Sequence, residues 1–274
     1  MAVLKPFRGG TYYLWKYLPN VGAAVVFCLL FLATTGIQCW QIWKTKKTRF
    51  CIPFAIGGFC QFVGYAARAS AYNKTDRLMP FCIQNTFILI APVFYAASVY
   101  MTLGRTIIAT GCERYSLIKP TLLTKIFVTG DVVTLAVQAG AAGMMVVSSV
   151  AKAGQWIVVV GLILQVLMFA SFAATAFLFH RKMRANGAQI PWFNWSRVLW
   201  VLYAISALIL IRSIFRVIEF VEGQDGYLLG HEWTLYIFDS LPMFAVMVMW
   251  SYWFPSDITA SKVGEAQPLD TFKA

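Results

Sequence analysis

The chain has 274 residues, of which 59% are hydrophobic and only 12% charged. That charged share is about half that of an average soluble domain. A disordered chain, a coiled coil, a disulfide scaffold and an ordinary cytosolic enzyme are excluded, which leaves an integral membrane protein, all-α and polytopic by the span count below. Lys and Arg total 23 against 11 Asp and Glu, a formal charge of +12. Such an excess marks either a nucleic-acid surface or the cytoplasmic loops of a membrane protein, and its placement decides between them.

Residues 1–19 hold Lys5, Arg8 and Lys16 and no uninterrupted apolar core, so no cleavable signal peptide is expected. The first apolar run must then target the chain to the membrane. A span needs roughly 20 mostly apolar residues. Seven runs qualify: Val21–Trp43, Phe50–Ala69, Phe81–Leu103, Leu122–Val150, Gln155–Phe179, Val198–Phe220 and Trp233–Phe254. The expected organisation is an outer N-terminal segment over 1–20, a seven-helix domain over 21–254 and a cytoplasmic tail over 255–274. Pro19, Pro80, Pro120, Pro191 and Pro255 fall near predicted helix ends. Pro53, Pro92 and Pro242 fall inside spans and are expected to kink them. All ten tryptophans, Trp15, Trp40, Trp156, Trp200, Trp233 and Trp250 among them, fall at or near predicted membrane interfaces, where an indole is most stable.

Fourteen basic residues, from Lys44 to Lys273, fall on one predicted side of the membrane, and six, from Lys5 to Lys152, on the other. The positive-inside rule then places the N-terminus outside and the C-terminus in the cytoplasm. Asn73-Lys74-Thr75 is a glycosylation sequon in a predicted outer loop, so Asn73 is a possible acceptor. Asn194-Trp195-Ser196 is a second match on the predicted cytoplasmic side and should be unused. Topology accounts for the basic excess, and no nucleic-acid partner is expected.

Cys28, Cys39 and Cys60 lie within spans, Cys51 and Cys112 toward the cytoplasmic side, and only Cys82 near the outer face, so no outer disulfide is expected. His180 and His231 are the only histidines and fall at opposite membrane faces, which excludes a three-histidine zinc site. Neither a phosphate-binding Gly-x-x-x-x-Gly-Lys-[Ser/Thr] loop nor a Gly-x-Ser-x-Gly elbow occurs. No catalytic residue, metal or cofactor is expected, and the chain reads as a non-enzyme.

Ionisable groups inside a bilayer are costly and mark function by default. Span six carries Arg212, Arg216 and Glu219, and span seven carries Glu232, Tyr236 and Asp239, each set spaced to share one helix face. At about 1.5 Å per residue, Arg212 lies about 12 Å and Asp239 about 10 Å below the outer ends of their spans. Arg212–Asp239 is therefore the expected pair, with Arg216 near Tyr236, and Glu219 at the rim beside Glu232. Arg68 adds a third cation in span two. Asp131 adds an acid in span four, with Gln138 two turns beyond it. Arg68, Arg212 and Arg216 balance Asp131, Glu219 and Asp239 in sign, as a buried network requires. Such a network reads either as a clamp that docks spans two, four, six and seven, or as a polar cavity for an amphipathic headgroup.

Several motifs are similar to those of the fungal lipid-translocating exporter family, also called RTA-like. They are Arg212-Ser-Ile-Phe-Arg216-Val-Ile-Glu219-Phe, the Gly223–Gly226 turn and His231-Glu232-x-x-x-Tyr236-x-x-Asp239. Ala91-Pro92-Val93-Phe94-Tyr95-Ala96-Ala97 before Leu103-Gly104-Arg105 agrees, as do Thr129-Gly130-Asp131-Val132, Gln138-Ala139-Gly140 and Tyr17-Leu18-Pro19. The resemblance implies seven spans and a role in moving or tolerating membrane-active lipids. Its members are linked to sphingoid-base export, resistance to sterol-like toxic compounds and porphyrin uptake.

The expected function is translocation of an amphipathic lipid, with membrane lipids as partners and a plasma-membrane location. Glu219, Glu232 and Asp239 could receive a cationic amine, or Arg68, Arg212 and Arg216 a phosphate. Pro92 and Pro242 could permit gating, and Asp131 or Asp239 could carry a coupling proton. The alternative is a receptor-like sensor. However, span three ends in Gly104-Arg105-Thr106 rather than Asp/Glu-Arg-Tyr, and span seven lacks both Asn-Pro-x-x-Tyr and a lysine. An intramembrane lipid enzyme is the weakest reading, for want of a metal triad or nucleophile elbow.

Overall fold

Lipid offers no hydrogen bonds, so an apolar run crossing it must satisfy its own backbone, and the helix does this within one segment. The computed structural model describes residues 15, 17–45, 48–73, 75–116, 118–144, 150–186, 194–223 and 226–255, and these contain long helices and no strand. The helices are α1 (Val21–Thr45), α2 (Ile52–Ser70), α3 (Leu78–Ala109), α4 (Pro120–Met144), α5 (Ala151–Ala185) and α6 (Trp195–Glu222). The seventh, α7 (Glu232–Tyr252), is α-helical except for one π-helical turn at Tyr236–Ser240. All seven are long and apolar enough to cross a membrane.

The ends differ from the predicted spans in informative ways. α5 continues through Arg181, Lys182 and Arg184, because backbone hydrogen bonding does not stop where hydropathy does. α4 ends at Met144, and residues 145–149 of the predicted fourth span lie outside the described residues. Pro191, Trp192, Lys74, most of the predicted 1–20 segment and the tail beyond Pro255 also lie outside them, as does the Asn73 side chain.

Consecutive helices pack side by side, α1 meets α7, and α3 also meets α6. α3 is the inner helix: 72% of its most apolar window is buried, against 28% for α1 and for α4. The outward faces of α1, α4 and α5 carry Val26, Leu29, Val133, Val160 and Leu167, all more than half exposed, which suits contact with acyl chains. The face where α1 begins is called the N face here. It also receives the α2–α3, α4–α5 and α6–α7 connections.

Two groups of predicted features are corrected. Pro53 does not kink α2, because it occupies the first turn, where a missing N–H breaks no bond. Trp250 ends near an interface but is fully buried, stacked on Phe54 at 4.4 Å between centroids, and Trp15 is buried too. Trp40, Trp43, Trp156, Trp200 and Trp233 are exposed as an interfacial belt requires. α6 ends at Gly223, whose φ of 71° favours glycine, and a Cβ there would meet Gln155 Nε2 at 2.9 Å. That glutamine instead donates to the Phe220 carbonyl at 2.9 Å, satisfying one orphan acceptor at the helix end.

Candidate functional site

The charged residues separate into two joined clusters, both between the N face and the bundle interior, and one outlying acid. The first cluster surrounds Arg68 near the end of α2, only 1% exposed. Its Nη2 donates to Glu232 Oε1 at 2.6 Å and to the Tyr17 hydroxyl at 3.1 Å. Its Nε donates to the Tyr236 hydroxyl at 3.1 Å, and Nη1 to Gln84 Oε1 at 3.3 Å. The rings of Trp15, Tyr17 and Tyr236 lie 5.4–5.7 Å from its guanidinium carbon, a cation–π cage. Glu232 opens α7, where a helix favours negative charge. Both its carboxylate oxygens accept from the Asn20 backbone N–H, at 2.9 and 3.0 Å. Trp15, Tyr17 and Asn20 are therefore tied across the end of the bundle.

The second cluster centres on Asp239, which is 1% exposed. Arg212 Nε donates to its Oδ1 at 2.5 Å, and Arg216 Nη2 bonds its Oδ2. Arg216 Nη1 also donates to Glu219 Oε2 at 2.8 Å. The expected Arg212–Asp239 pair is present. Two other expectations are corrected: Arg216 faces Asp239 and Glu219 rather than Tyr236, and Glu219 is buried against Arg216 rather than at the rim with Glu232. The π-helical turn explains the first. It winds more widely than an α-turn, so Asp239 and Tyr236 no longer share a face. Tyr236 turns to α2 and Asp239 to α6. The Tyr65 and Ser240 hydroxyls bond each other, and Phe27, Tyr65 and Tyr236 stack, so the two clusters share a wall.

Pro92 has a role that kinking does not describe. α3 runs unbroken through it, yet Pro92 has no N–H to offer the Ile88 carbonyl one turn back. Arg212 Nη2 donates to that carbonyl at 2.8 Å. The proline thus leaves an acceptor that anchors the central arginine. Replacing a helix-interior proline by alanine ordinarily gains about 3 kcal/mol. Pro92→Ala is expected to gain little in thermal unfolding in detergent, since the restored N–H competes for the carbonyl. A full gain would show that Arg212 does not depend on it.

Asp131 is the outlier. It was expected to balance the arginines, but its Oδ2 accepts from the Tyr100 hydroxyl at 2.9 Å and no described cation pairs with it. The reason is topological: α4 packs between α3 and α5, away from α7. The three arginines are balanced by Glu219, Glu232 and Asp239 instead. Gln138 lies on the same face, 1% exposed, against Gly161 of α5, where a Cβ would meet its Cγ at 2.9 Å. Tyr17, Asn20, Gln84, Tyr65 and Ser240 complete the site but were not singled out for it. The signal for Gln84 was a polar side chain in an apolar span. For Asn20 there was none, because its contact is a backbone amide.

A shallow, wide-open cavity of about 650 Å³ lies beside Glu232 on the N face, lined by Leu18, Pro19, Asn20, Val21, Gly22, Tyr72 and Glu232. Of the charged network only Glu232 reaches it, and its side chain is the most exposed of the six, at 18%.

The family described as RTA1 like protein matches residues 54–262. Protein RTA1 of Saccharomyces cerevisiae is 34% identical over 269 residues, covering 88% of this chain and 84% of the relative. Protoporphyrin uptake protein 1 of the same yeast is 31% identical over 87% of this chain and 90% of its own. Sphingoid long-chain base transporter RSB1 is 26% identical over 82% of this chain and 69% of its own. No solved structure matches. The match spans both charged clusters from Arg68 to Asp239 and six of the seven helices, and with it this multi-pass membrane protein belongs to the RTA1-like family.

Proposed function

We propose that the protein translocates amphipathic lipids bearing a cationic headgroup, with the N face outside and the plasma membrane as its location. The observation that carries this reading is the cavity beside Glu232, the one network carboxylate open to it. An amine entering there takes the place of the single Asn20 N–H on Glu232 and brings a full positive charge to the carboxylate, where the N–H brings a partial one. Tyr17–Asn20 must lift for this, which makes it the gate. The lipid tail follows the exposed apolar face of α1, where Val25, Val26 and Leu29 lie just beyond the cavity. Arg212, Arg216, Glu219 and Asp239 do not line the cavity and tie α6 to α7 instead. The name of the relative RSB1 supports a lipid amine as the cargo. The charge pattern supports the orientation: of the described basic residues outside the network, only Arg77 and Lys152 lie at the N face, whereas Arg181, Lys182 and Arg184 cluster at the other.

The test is reconstitution of the full chain in liposomes. Fluorescent sphingoid base should cross the bilayer faster with protein than without. If that base does not move above the protein-free rate, the reading fails, even where a phosphate-headed or sterol-like amphipath moves.

A further inference from the structure

Three buried acids could carry a proton through the membrane, and their surroundings differ in kind. Asp239 is held by two guanidiniums, and Glu219 by one. Protonating either strands buried cations, which is strongly unfavourable. Asp131 has no such tie. It is 2% exposed, its Oδ2 accepts from Tyr100, and its Oδ1 has no protein partner.

No described charged side chain pairs with Asp131, whose partner Tyr100 packs among Phe127, Phe169 and Phe172. On α4 itself, Thr134 donates to the Asp131 carbonyl at 2.9 Å, and Lys125 lies nearly two turns away, exposed. On α3 the titratable groups are Cys82, Tyr95, Tyr100 and Arg105. Of these only Tyr100 bonds the carboxylate, while Tyr95 turns to Phe54 and Gly57 of α2. On α5 they are Lys152 at one end and His180, Arg181, Lys182 and Arg184 at the other. Gln138 lies seven residues toward the N face on the same side of α4, about 10 Å along the axis. Both its amide atoms are buried and unpartnered, as is Ser98 Oγ on α3. Buried polar atoms without a partner are rare in folded proteins, and each needs a reason beyond packing.

We propose that Asp131 is a proton-binding site whose protonation is coupled to lipid movement. The inference rests on the translocator reading. A hydronium at one face gives its proton to Asp131 Oδ1 and becomes water, leaving a neutral carboxylic acid. The acid later returns the proton to water at the other face. The Tyr100 hydroxyl, which donates to the carboxylate, loses its charged acceptor in between. α3 carries this change toward the lipid site, because the same helix holds Arg212 through the Ile88 carbonyl. Asp131 thus senses the proton while Glu232 senses the headgroup.

The test has two arms on the full chain. In nanodiscs, infrared difference spectra across a pH titration should show a protonated-carboxyl stretch that disappears in Asp131→Asn. It should shift in frequency in Tyr100→Phe, which keeps the carboxyl but removes its partner. A titration identical in wild type and Asp131→Asn overturns the proposal whatever the transport result. In liposomes, an imposed pH gradient should change the rate of sphingoid-base movement severalfold in wild type. The ratio of rates with and without the gradient should fall to one in Asp131→Asn. Lipid movement indifferent to the gradient in wild type overturns the coupling and leaves the translocator standing. No lipid movement under any gradient removes both.

Discussion

Asp239→Ala is expected to destabilise the bundle by about 3–5 kcal/mol, the range found when one member of a buried ion pair is removed. The reason is the position of Asp239 between Arg212 and Arg216, in a site 1% exposed to solvent. Deleting the carboxylate leaves two guanidiniums facing each other, with Glu219 the one remaining acid near them. Arg212 keeps only the Ile88 carbonyl. Such a loss is a large fraction of a typical folding free energy of about 5–15 kcal/mol, so membrane abundance should fall severalfold. Asp239→Asn keeps the shape and one acceptor oxygen and should fall between the two. Denaturant unfolding in detergent and quantitation in membranes read both. An Asp239→Ala protein as stable as wild type would mean that α6 and α7 do not need this tie.

Glu232→Gln is expected to shift the balance, with a smaller loss of abundance and a larger loss of transport. Arg68 loses its one carboxylate but keeps the amide oxygen, the Tyr17, Tyr236 and Gln84 oxygens and the aromatic cage, so abundance should fall less than for Asp239→Ala. The charge that would hold an amine is gone. A tenfold or greater fall in rate per molecule is expected, equivalent to about 1.4 kcal/mol or more of lost differential binding. Rate and abundance must be measured on the same membranes. A drop in abundance with an unchanged rate per molecule would reduce Glu232 to a clamp on the N-terminal segment.

The contrast between these variants follows from geometry that the sequence only partly discloses. The seven helices were legible because length, hydropathy and charged loops all mark the same boundaries. The Arg212–Asp239 pair was legible because two antiparallel helices joined by a short loop bring equal depths together. α-Helical spacing through Tyr236–Ser240 puts Arg216 beside Tyr236, but the chain makes a π-turn there instead. Pro242, two residues beyond, cannot donate an N–H to the turn before it and so favours such a departure. Asp131 was assigned to the wrong network because periodicity gives a face but not the neighbour it meets. The cage around Arg68 was hidden for a different reason. Trp15, Tyr17 and Asn20 precede the first helix, and no helical pattern says that they fold back over α2 and α7. Pro92 was recognised as unusual, but its use as a source of a free carbonyl depends on an arginine 120 residues away in the sequence.

The central claim, that a lipid amine binds beside Glu232, is tested most directly by photo-crosslinking. A sphingoid base with a photoreactive group next to its amine would be irradiated with the full chain in liposomes and the labelled peptides mapped. Labels should fall on Leu18–Gly22 and Tyr72 around the cavity. They should be competed away by unlabelled base and lost in Glu232→Gln. Labels confined to the lipid-facing sides of α4 and α5, unaffected by Glu232→Gln, would contradict the site.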